Sequence, residues 1–226
     1  GIVQIGKDLG NGIHTQNGIE RLAFGKLVCA SNQNNVLTDF LSTGTYTAKR
    51  EFYKTTSPSM DILVSSNLER LLYHVTGSDA EVAGLMKSLN ETGRYTVRPE
   101  TLKAIQESFD CGWSSEEQVA GEIRARYEKD GYLCDTHTAV AFHVAAQKKR
   151  DGVPMVVLST ASPYKFPRDV LAALGETAPE SDFAAMAALN VKTGCPVPAS
   201  LSVLNTLPVR FNTVIEPAAI RDAALK

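Results

Sequence analysis

Three hydroxyl side chains and one lysine are concentrated in a single turn of the sequence. These residues are Ser159, Thr160, Ser162 and Lys165. The turn follows the apolar run 154–158, which predicts a strand buried on both faces, and it precedes an apolar-periodic helix that stops at Gly175. In open α/β sheets, ligands bind outside the carboxyl ends of the strands. The turn is therefore either one wall of a ligand site or a cap on the helix that follows it.

Two further polar turns lie at a strand end or a helix start. Residues 26–30 predict a buried strand, and the amide side chains of 32–35 follow it directly. Such amides either stabilise the turn itself or form a polar wall for a ligand. The second turn, 132–138, precedes a helix over 139–149 and contains His137. This histidine is either a cap or structural hydrogen-bonding group, or a catalytic group, although no partnered nucleophile is visible in the sequence.

The remaining pattern predicts an α/β fold with a parallel sheet flanked by helices. Residues 60–64 predict a short strand, and a helix begins near Asn67. Residues 79–131 are mainly helical and have the character of an insertion. The order of elements is strand, turn and helix twice, then helices, then strand, turn and helix again. Such an order favours a parallel sheet that is covered by helices.

Composition limits the classes of function. The chain has 226 residues and a formal net charge of -2, so nothing indicates nucleic acid or an anionic membrane as a partner. No apolar run approaches the ~20 residues of a membrane span, and the N-terminus lacks the pattern of a signal peptide. The four cysteines are scattered without a CxxC spacing, which predicts neither a metal site nor a disulfide framework. We therefore expect a protein of the reducing cytoplasm.

Four long motifs, taken together and in this order, resemble the threonine synthase family. They are CASNQNNVLTDF at 29–40, SPSMDILVSSNLERLL at 57–72, DTHTAVA at 135–141 and STASPYKF at 159–166. The resemblance implies an enzyme of fold type II, the tryptophan-synthase-β-like type, that depends on pyridoxal 5'-phosphate (PLP). It implies the conversion of O-phospho-L-homoserine and water to L-threonine and phosphate in threonine biosynthesis. Residues 25–226 would then be the C-terminal part of the large PLP-binding domain, with the helical insertion at about 79–131.

The resemblance also implies roles for individual residues. Thr160 matches the position that hydrogen-bonds the pyridine nitrogen of PLP, with Ser159 beside it. Asn67 and Arg70 are implied to bind the substrate, and the guanidinium fork of Arg70 suits a phosphate group. Four more residues lie in motifs near the family's active site and are implied to bind substrate. These are Asn32, Asp135, His137 and Lys165.

Two parts of the family's site are not found in this sequence. The Schiff-base lysine of the family stands in a Ser-Phe-Lys-type context, and a Gly-Asn-Phe-Gly loop holds the cofactor phosphate; neither context occurs here. The Schiff base is the covalent link on which PLP chemistry depends. We therefore expect that this chain alone contains no catalytic lysine, retains PLP poorly and is inactive. We also expect self-association, or a requirement for a missing N-terminal half.

Two alternatives to an enzyme fragment remain at this point. The first is an inert fragment or interaction module of the same ancestry. The second rests on structural class alone and is a nucleotide-dependent oxidoreductase, although no glycine fingerprint with an acidic ribose partner occurs.

Residues 1–24 form an atypical lead with little periodicity. One possible coding sequence for residues 9–19, read one base later, gives Leu-Ala-Thr-Gly-Tyr-Thr-Arg-Lys-Thr-Gly-Leu, which resembles a helix of the family. We therefore hypothesise that residues 1 to about 22 are disordered or come from a frameshifted or misassembled reading frame. The coding DNA tests this hypothesis, which fails if no shifted frame restores the family sequence upstream.

Overall fold

The computed structural model describes residues 13–15, 18–20 and 25–225. The hypothesis about residues 1–24 thus falls almost entirely on residues outside the described part, and it stays a prediction. Within that lead, strands β1 (Ile13–Thr15) and β2 (Gly18–Glu20) pair antiparallel.

A parallel pair of strands lies at the centre of the described part. Strand β3 (Leu27–Ser31) pairs in register with strand β6 (Phe109–Trp113) along its whole length. Strands β4 (Thr45–Thr47) and β5 (Arg94–Thr96) form a separate antiparallel pair. The small parallel sheet and the helices around it confirm the predicted α/β class.

The described part of the chain contains ten α-helices. They are α1 Val36–Thr43, α2 Leu68–Thr76, α3 Asp79–Thr92, α4 Pro99–Ser108, α5 Glu116–Asp130, α6 Thr136–Lys148, α7 Pro167–Ala173, α8 Asp182–Thr193, α9 Ala199–Ser202 and α10 Ile220–Ala224. A capping box between Ser115 and Gln118 begins α5, and Gly131 ends it in the left-handed conformation. Among the described helices, none is long and apolar enough to cross a bilayer.

Two apolar clusters form the core. The first packs helices α1 and α2 against β3, β4 and β5, and the rings of Tyr46 and Tyr95 stack there with their centroids 5.2 Å apart. The second lies among α5, α6, α7 and α8. Its innermost residues include Val119, Ile123, Val140, Val170, Leu171, Ala185 and Leu189.

Two of the predicted strands were wrong. Residues 154–158 form no regular element and pair with no strand of the described chain, and the side chains of Val153 and Val156 are 53% and 67% exposed. A strand is stabilised by ladder hydrogen bonds to a neighbour, so an apolar run without one does not become a strand. Residues 60–64 also form no strand, because Met60 ends a short 3₁₀ turn and the Asp61 carboxylate binds surrounding groups.

Strand β6 was not predicted. Phe109 continues the helical spacing of Leu102 and Ile105 in α4, so the sequence favoured a helix that Gly112 interrupts. Pairing with β3 overrides that local pattern, as tertiary contacts often do for short strands. This strand lies within residues 79–131, and the division of the chain into domains stays a prediction.

Gly112 lets helix α6 pack closely on β6, which yields a test of the packing. A Cβ atom at this position would lie 2.8 Å from Val144 Cγ1, closer than real carbon contacts. We expect Gly112→Ala to lower the free energy of unfolding by about 1–3 kcal/mol, because the helix must shift to admit the methyl group. Urea or thermal unfolding followed by circular dichroism measures this.

The matched control is Gly84→Ala in α3, where an added Cβ meets nothing within 4 Å. Alanine suits a helix interior better than glycine, so this variant is expected to gain roughly 0.5–1 kcal/mol. Equal stability of the two variants would contradict the close packing of α6 on β6.

Candidate functional site

The Asp61 carboxylate anchors the loop that joins β4 to α2. We call residues 53–67 the central loop. Oδ1 of Asp61 accepts hydrogen bonds from Asn32 Nδ2 at 2.8 Å, Asn34 Nδ2 at 2.9 Å and Thr55 Oγ1 at 2.7 Å. Its Oδ2 accepts from the backbone N–H of Thr55 at 2.9 Å. The polar turn after β3 is therefore fixed to the central loop through one carboxylate.

The two asparagines also stabilise backbone directly. Asn32 Oδ1 accepts from the N–H of Asn34 at 3.0 Å, which closes the turn after β3. Asn34 both donates to the Tyr53 carbonyl at 2.7 Å and accepts from the Tyr53 N–H at 2.9 Å, as a neighbouring strand would. Asn32 is fully buried, and its amide is occupied by these protein groups.

Asp135 caps helix α6 and also orients His137. Its Oδ1 accepts the backbone N–H groups of His137 at 2.9 Å and Thr138 at 3.3 Å, and its Oδ2 accepts the Thr138 hydroxyl. The same Oδ1 lies 3.1 Å from His137 Nδ1. Both side chains are buried, Asp135 completely.

His137 connects helix α6 to the central loop. Its Nε2 accepts the backbone N–H of Ser59 at 3.2 Å, so this nitrogen carries no proton. The proton of the neutral ring then lies on Nδ1, where it faces Asp135. The ring also packs on Phe166 with centroids 4.7 Å apart. This geometry is that of a structural hydrogen bond, one of the two alternatives that the sequence left open.

The ionised form of Asp135 is favoured in the folded protein. Burial by itself raises the pKa of this carboxyl, but the hydrogen bonds from His137 and Thr138 outweigh burial and lower the pKa below its ordinary value. The ionised carboxylate thus strengthens both the cap of α6 and the orientation of His137.

A cavity of about 310 Å³ lies between β3, α1, the central loop and α2. Its wall is mostly apolar, which is typical of small-molecule sites. The polar residues that line it are Ser31, Asn34, Ser59, Ser65 and Asn67. Tyr46 holds the loop at this point, because its hydroxyl donates to the Leu63 carbonyl and accepts from the Ser65 N–H, both at 2.8 Å.

Asn67 lies at this cavity, and Arg70 lies beside Asn67. Asn67 lines the cavity, and its Oδ1 accepts a hydrogen bond from Arg70 Nη2. The Arg70 side chain is exposed, so the remaining donors of its guanidinium group face solvent. The two residues predicted to bind substrate together are therefore adjacent in the structure.

The hydroxyl-rich turn lies apart from the cavity. Ser159 and Thr160 are exposed, and Ser159 Oγ is 3.2 Å from the Tyr132 hydroxyl. Ser162 Oγ accepts the N–H of Tyr164 at 3.3 Å and so caps a 3₁₀ turn. Lys165 is exposed, and no described lysine lines the cavity. The neutral hydroxyls of Ser159 and Thr160 are of the type that can donate a hydrogen bond to a pyridine nitrogen. No lysine that could form a Schiff base is found among the residues that line the cavity.

Asp61 is the residue of this site that sequence reasoning missed. It lies within the apolar run MDILV, which predicted a strand. A carboxylate inside such a run is unusual, because burying a charge is costly unless several donors surround it. That carboxylate was the available signal, and it marks a loop rather than a strand.

The sequence matches a family model described as "Threonine synthase, C-terminal" over residues 138–223. Among curated proteins, threonine synthase of Methylobacillus glycogenes is 35% identical over 204 residues, which cover 88% of this chain and 39% of that protein. "Threonine synthase-like 1" of Homo sapiens is 38% identical over 151 residues, or 66% of this chain and 20% of that protein.

Solved structures give the same result. The PLP-bound threonine synthase of Brucella melitensis is 42% identical and superposes with a TM-score of 0.65 over 72% of this chain. This chain shares its ancestry with threonine synthases. Yeast threonine synthase, at 27% identity, superposes with a TM-score of 0.73 over 89% of this chain. This chain spans 35% of the Brucella chain and 42% of the yeast chain, less than half of each.

Removal of the Asp61 charge tests the anchoring of the central loop. We expect Asp61→Asn to lower the free energy of unfolding by about 2–4 kcal/mol. The amide nitrogen of the new side chain would replace one carboxylate oxygen, and it cannot accept the hydrogen bonds that this oxygen accepts now. Equilibrium urea unfolding measures this. Asp151→Asn is the matched control, since Asp151 is exposed, and a change within about ±0.5 kcal/mol is expected there. Similar losses in the two variants would contradict the anchoring role.

The lowered pKa of Asp135 predicts a pH dependence of stability. A carboxyl group whose pKa is lower in the folded than in the unfolded protein stabilises the fold at pH values above its unfolded pKa of about 3.9. This stabilisation is lost as the pH falls through the pKa of the folded state. An asparagine side chain would still cap the helix, so Asp135→Asn should destabilise by about 1–2 kcal/mol at pH 7. The difference between the two proteins should shrink on acidification from pH 5 to pH 2. A difference that is constant over this range would be evidence against the charge-dependent role.

Proposed function

We propose that this chain supplies the C-terminal part of a threonine synthase. The assembled enzyme would use PLP to convert O-phospho-L-homoserine and water to L-threonine and phosphate. The observation that carries this proposal is the 35% identity to the Methylobacillus glycogenes enzyme over 88% of this chain. The Brucella melitensis protein, 42% identical, is PLP-bound, which supports the same cofactor here.

Arg70 and Asn67 would bind the anionic part of the substrate. Arg70 is exposed and donates through Nη2 to Asn67, which lines the cavity, so its other N–H groups are available to phosphate oxygens. Guanidinium groups bind phosphate through paired hydrogen bonds, and the Asn67 contact fixes the plane of the fork. The apolar wall of the cavity would exclude water from the carbon skeleton of the substrate.

Thr160 would face the pyridine nitrogen of PLP, with Ser159 beside it. When bound, PLP withdraws electrons from the reacting carbons of the substrate. A threonine hydroxyl can donate to an unprotonated pyridine nitrogen and imposes no positive charge on the ring. Both hydroxyls are exposed in this chain, so the rest of an intact enzyme would have to cover them.

Asn32, Asp135 and His137 would contribute by holding the cavity wall in place. Their polar groups are occupied by the central loop and by α6, so they hold the cavity wall that contains Asn67. Lys165 is exposed after the hydroxyl-rich turn, where its charge could attract an anionic substrate. No described lysine lines the cavity, and we derive no step through the cofactor from this chain.

Reconstitution tests the proposed function. The chain is mixed with PLP and with a separately produced N-terminal part of the Methylobacillus glycogenes enzyme. We expect phosphate release from O-phosphohomoserine and a visible PLP absorption band that borohydride removes, whereas the chain alone should give neither. Arg70→Lys should lower kcat/KM about 10-fold or more in the mixture, because an ammonium group cannot form the paired contact.

The positive control is the Methylobacillus glycogenes enzyme divided at the same place and recombined. If its two parts regain activity and the mixture with this chain does not, the proposal fails and the inert fragment of the same ancestry is the correct interpretation. Lys87→Arg is the matched substitution control, because Lys87 is exposed on α3 and pairs only with Glu91 among the described residues.

A further inference from the structure

The parallel strands place two cysteines side by side. Cys29 of β3 and Cys111 of β6 are direct register partners. Neighbouring strands lie about 4.8 Å apart, and a disulfide spans Cα separations of roughly 4.4–6.8 Å. In-register side chains of parallel strands leave the sheet on the same face, so the two thiols are neighbours.

Contacts with helix α1 show that both thiols lie on one face. Cys111 Sγ is 3.4 Å from Ser42 Oγ and 3.5 Å from the Thr38 carbonyl oxygen. Cys29 belongs to the buried cluster that includes Val36 and Phe40 of the same helix. Cys29 is almost fully buried, whereas Cys111 is partly exposed and accessible to a small reagent.

We propose that Cys29 and Cys111 form a reversible disulfide when the chain meets a small-molecule disulfide. The thiolate of Cys111 attacks one sulfur of the reagent, the S–S bond breaks, and one small thiolate leaves. Cys29 then loses its proton and attacks the Cys111 sulfur, which expels the second small thiolate. The two cysteines are oxidised by two electrons, the reagent is reduced to two thiols, and the two cysteine protons pass to them.

The environments of the two thiols fit this order of attack. Burial raises the pKa of the Cys29 thiol to about 12, so Cys29 is a poor first nucleophile. Within the mixed disulfide, however, Cys29 lies next to the sulfur that it must attack. This proximity speeds the attack enough to compensate for the small fraction of Cys29 that is present as thiolate.

The bond would act on the candidate site. Cys29 lines the cavity, and β3 ends at Ser31, directly before the asparagine turn. A bond to Cys111 would fix β3 to β6 and draw the Cys29 sulfur toward the neighbouring strand. The site therefore gains a redox control that is independent of the cofactor.

Peptide mapping of the native chain tests the proposal. The purified chain is incubated with oxidised glutathione, its remaining thiols are alkylated, and the protein is digested without reduction. We expect loss of two of the four thiols, a mass decrease of two hydrogen atoms, and a cross-linked peptide that joins Cys29 to Cys111. Dithiothreitol should restore all four thiols. The same oxidation in denaturant should scramble the pairs.

Variants assign the bond to the pair. Cys29→Ser should leave a glutathione adduct on Cys111, whereas Cys134→Ser should not change the Cys29–Cys111 peptide. The wild-type map decides the question even if a variant does not fold. The proposal is overturned if the native chain forms no Cys29–Cys111 bond, or forms it no more often than the denatured chain does.

Discussion

Hydrogen bonds to two carboxylates hold the central loop against the rest of the fold. Asp61 collects the amides that follow β3, and Asp135 orients the His137 ring, whose Nε2 accepts the Ser59 N–H. A third contact comes from Glu116 at the start of α5, which accepts the N–H of Thr56. A buried polar group that loses its hydrogen-bond partner destabilises the fold, so a displacement of the central loop that breaks one of these hydrogen bonds also weakens the others. The cavity and Asn67 depend on this network.

Local sequence patterns predicted the helices well, because spacing, caps and terminal glycines act over a few residues. The helix that begins near Asn67 and the helix predicted over 139–149 are examples. Strand pairing is not local, which explains why β6 was missed and why 154–158 was overpredicted. The motifs placed Asn67 beside Arg70 and Asp135 beside His137. They did not reveal Asp61, because its partners come from residues 32–55 and are brought to it only by folding.

The distribution of exposed groups agrees with a chain that provides one side of a larger site. The hydroxyls of Ser159 and Thr160 face solvent, and the apolar run before them has no neighbouring strand in the described part. The Asp61 and Asp135 networks, by contrast, are complete within this chain. The hydrogen bonds that hold the cavity wall are therefore made within this chain. Under the proposed function, Ser159 and Thr160 would contact PLP only after another part of the enzyme covers them.

The hydrogen-bonded link from Asp135 through His137 to Ser59 holds the central loop against α6, and the position of the proton on the His137 ring reports on this link. Long-range ¹H–¹⁵N correlation spectra of the folded chain at neutral pH distinguish the two nitrogens of His137. The structure predicts a neutral ring with the proton on Nδ1 and an unprotonated Nε2 that accepts the Ser59 N–H. A ring protonated on Nε2, or one averaged between tautomers as in a free imidazole, would show that His137 does not accept the Ser59 N–H.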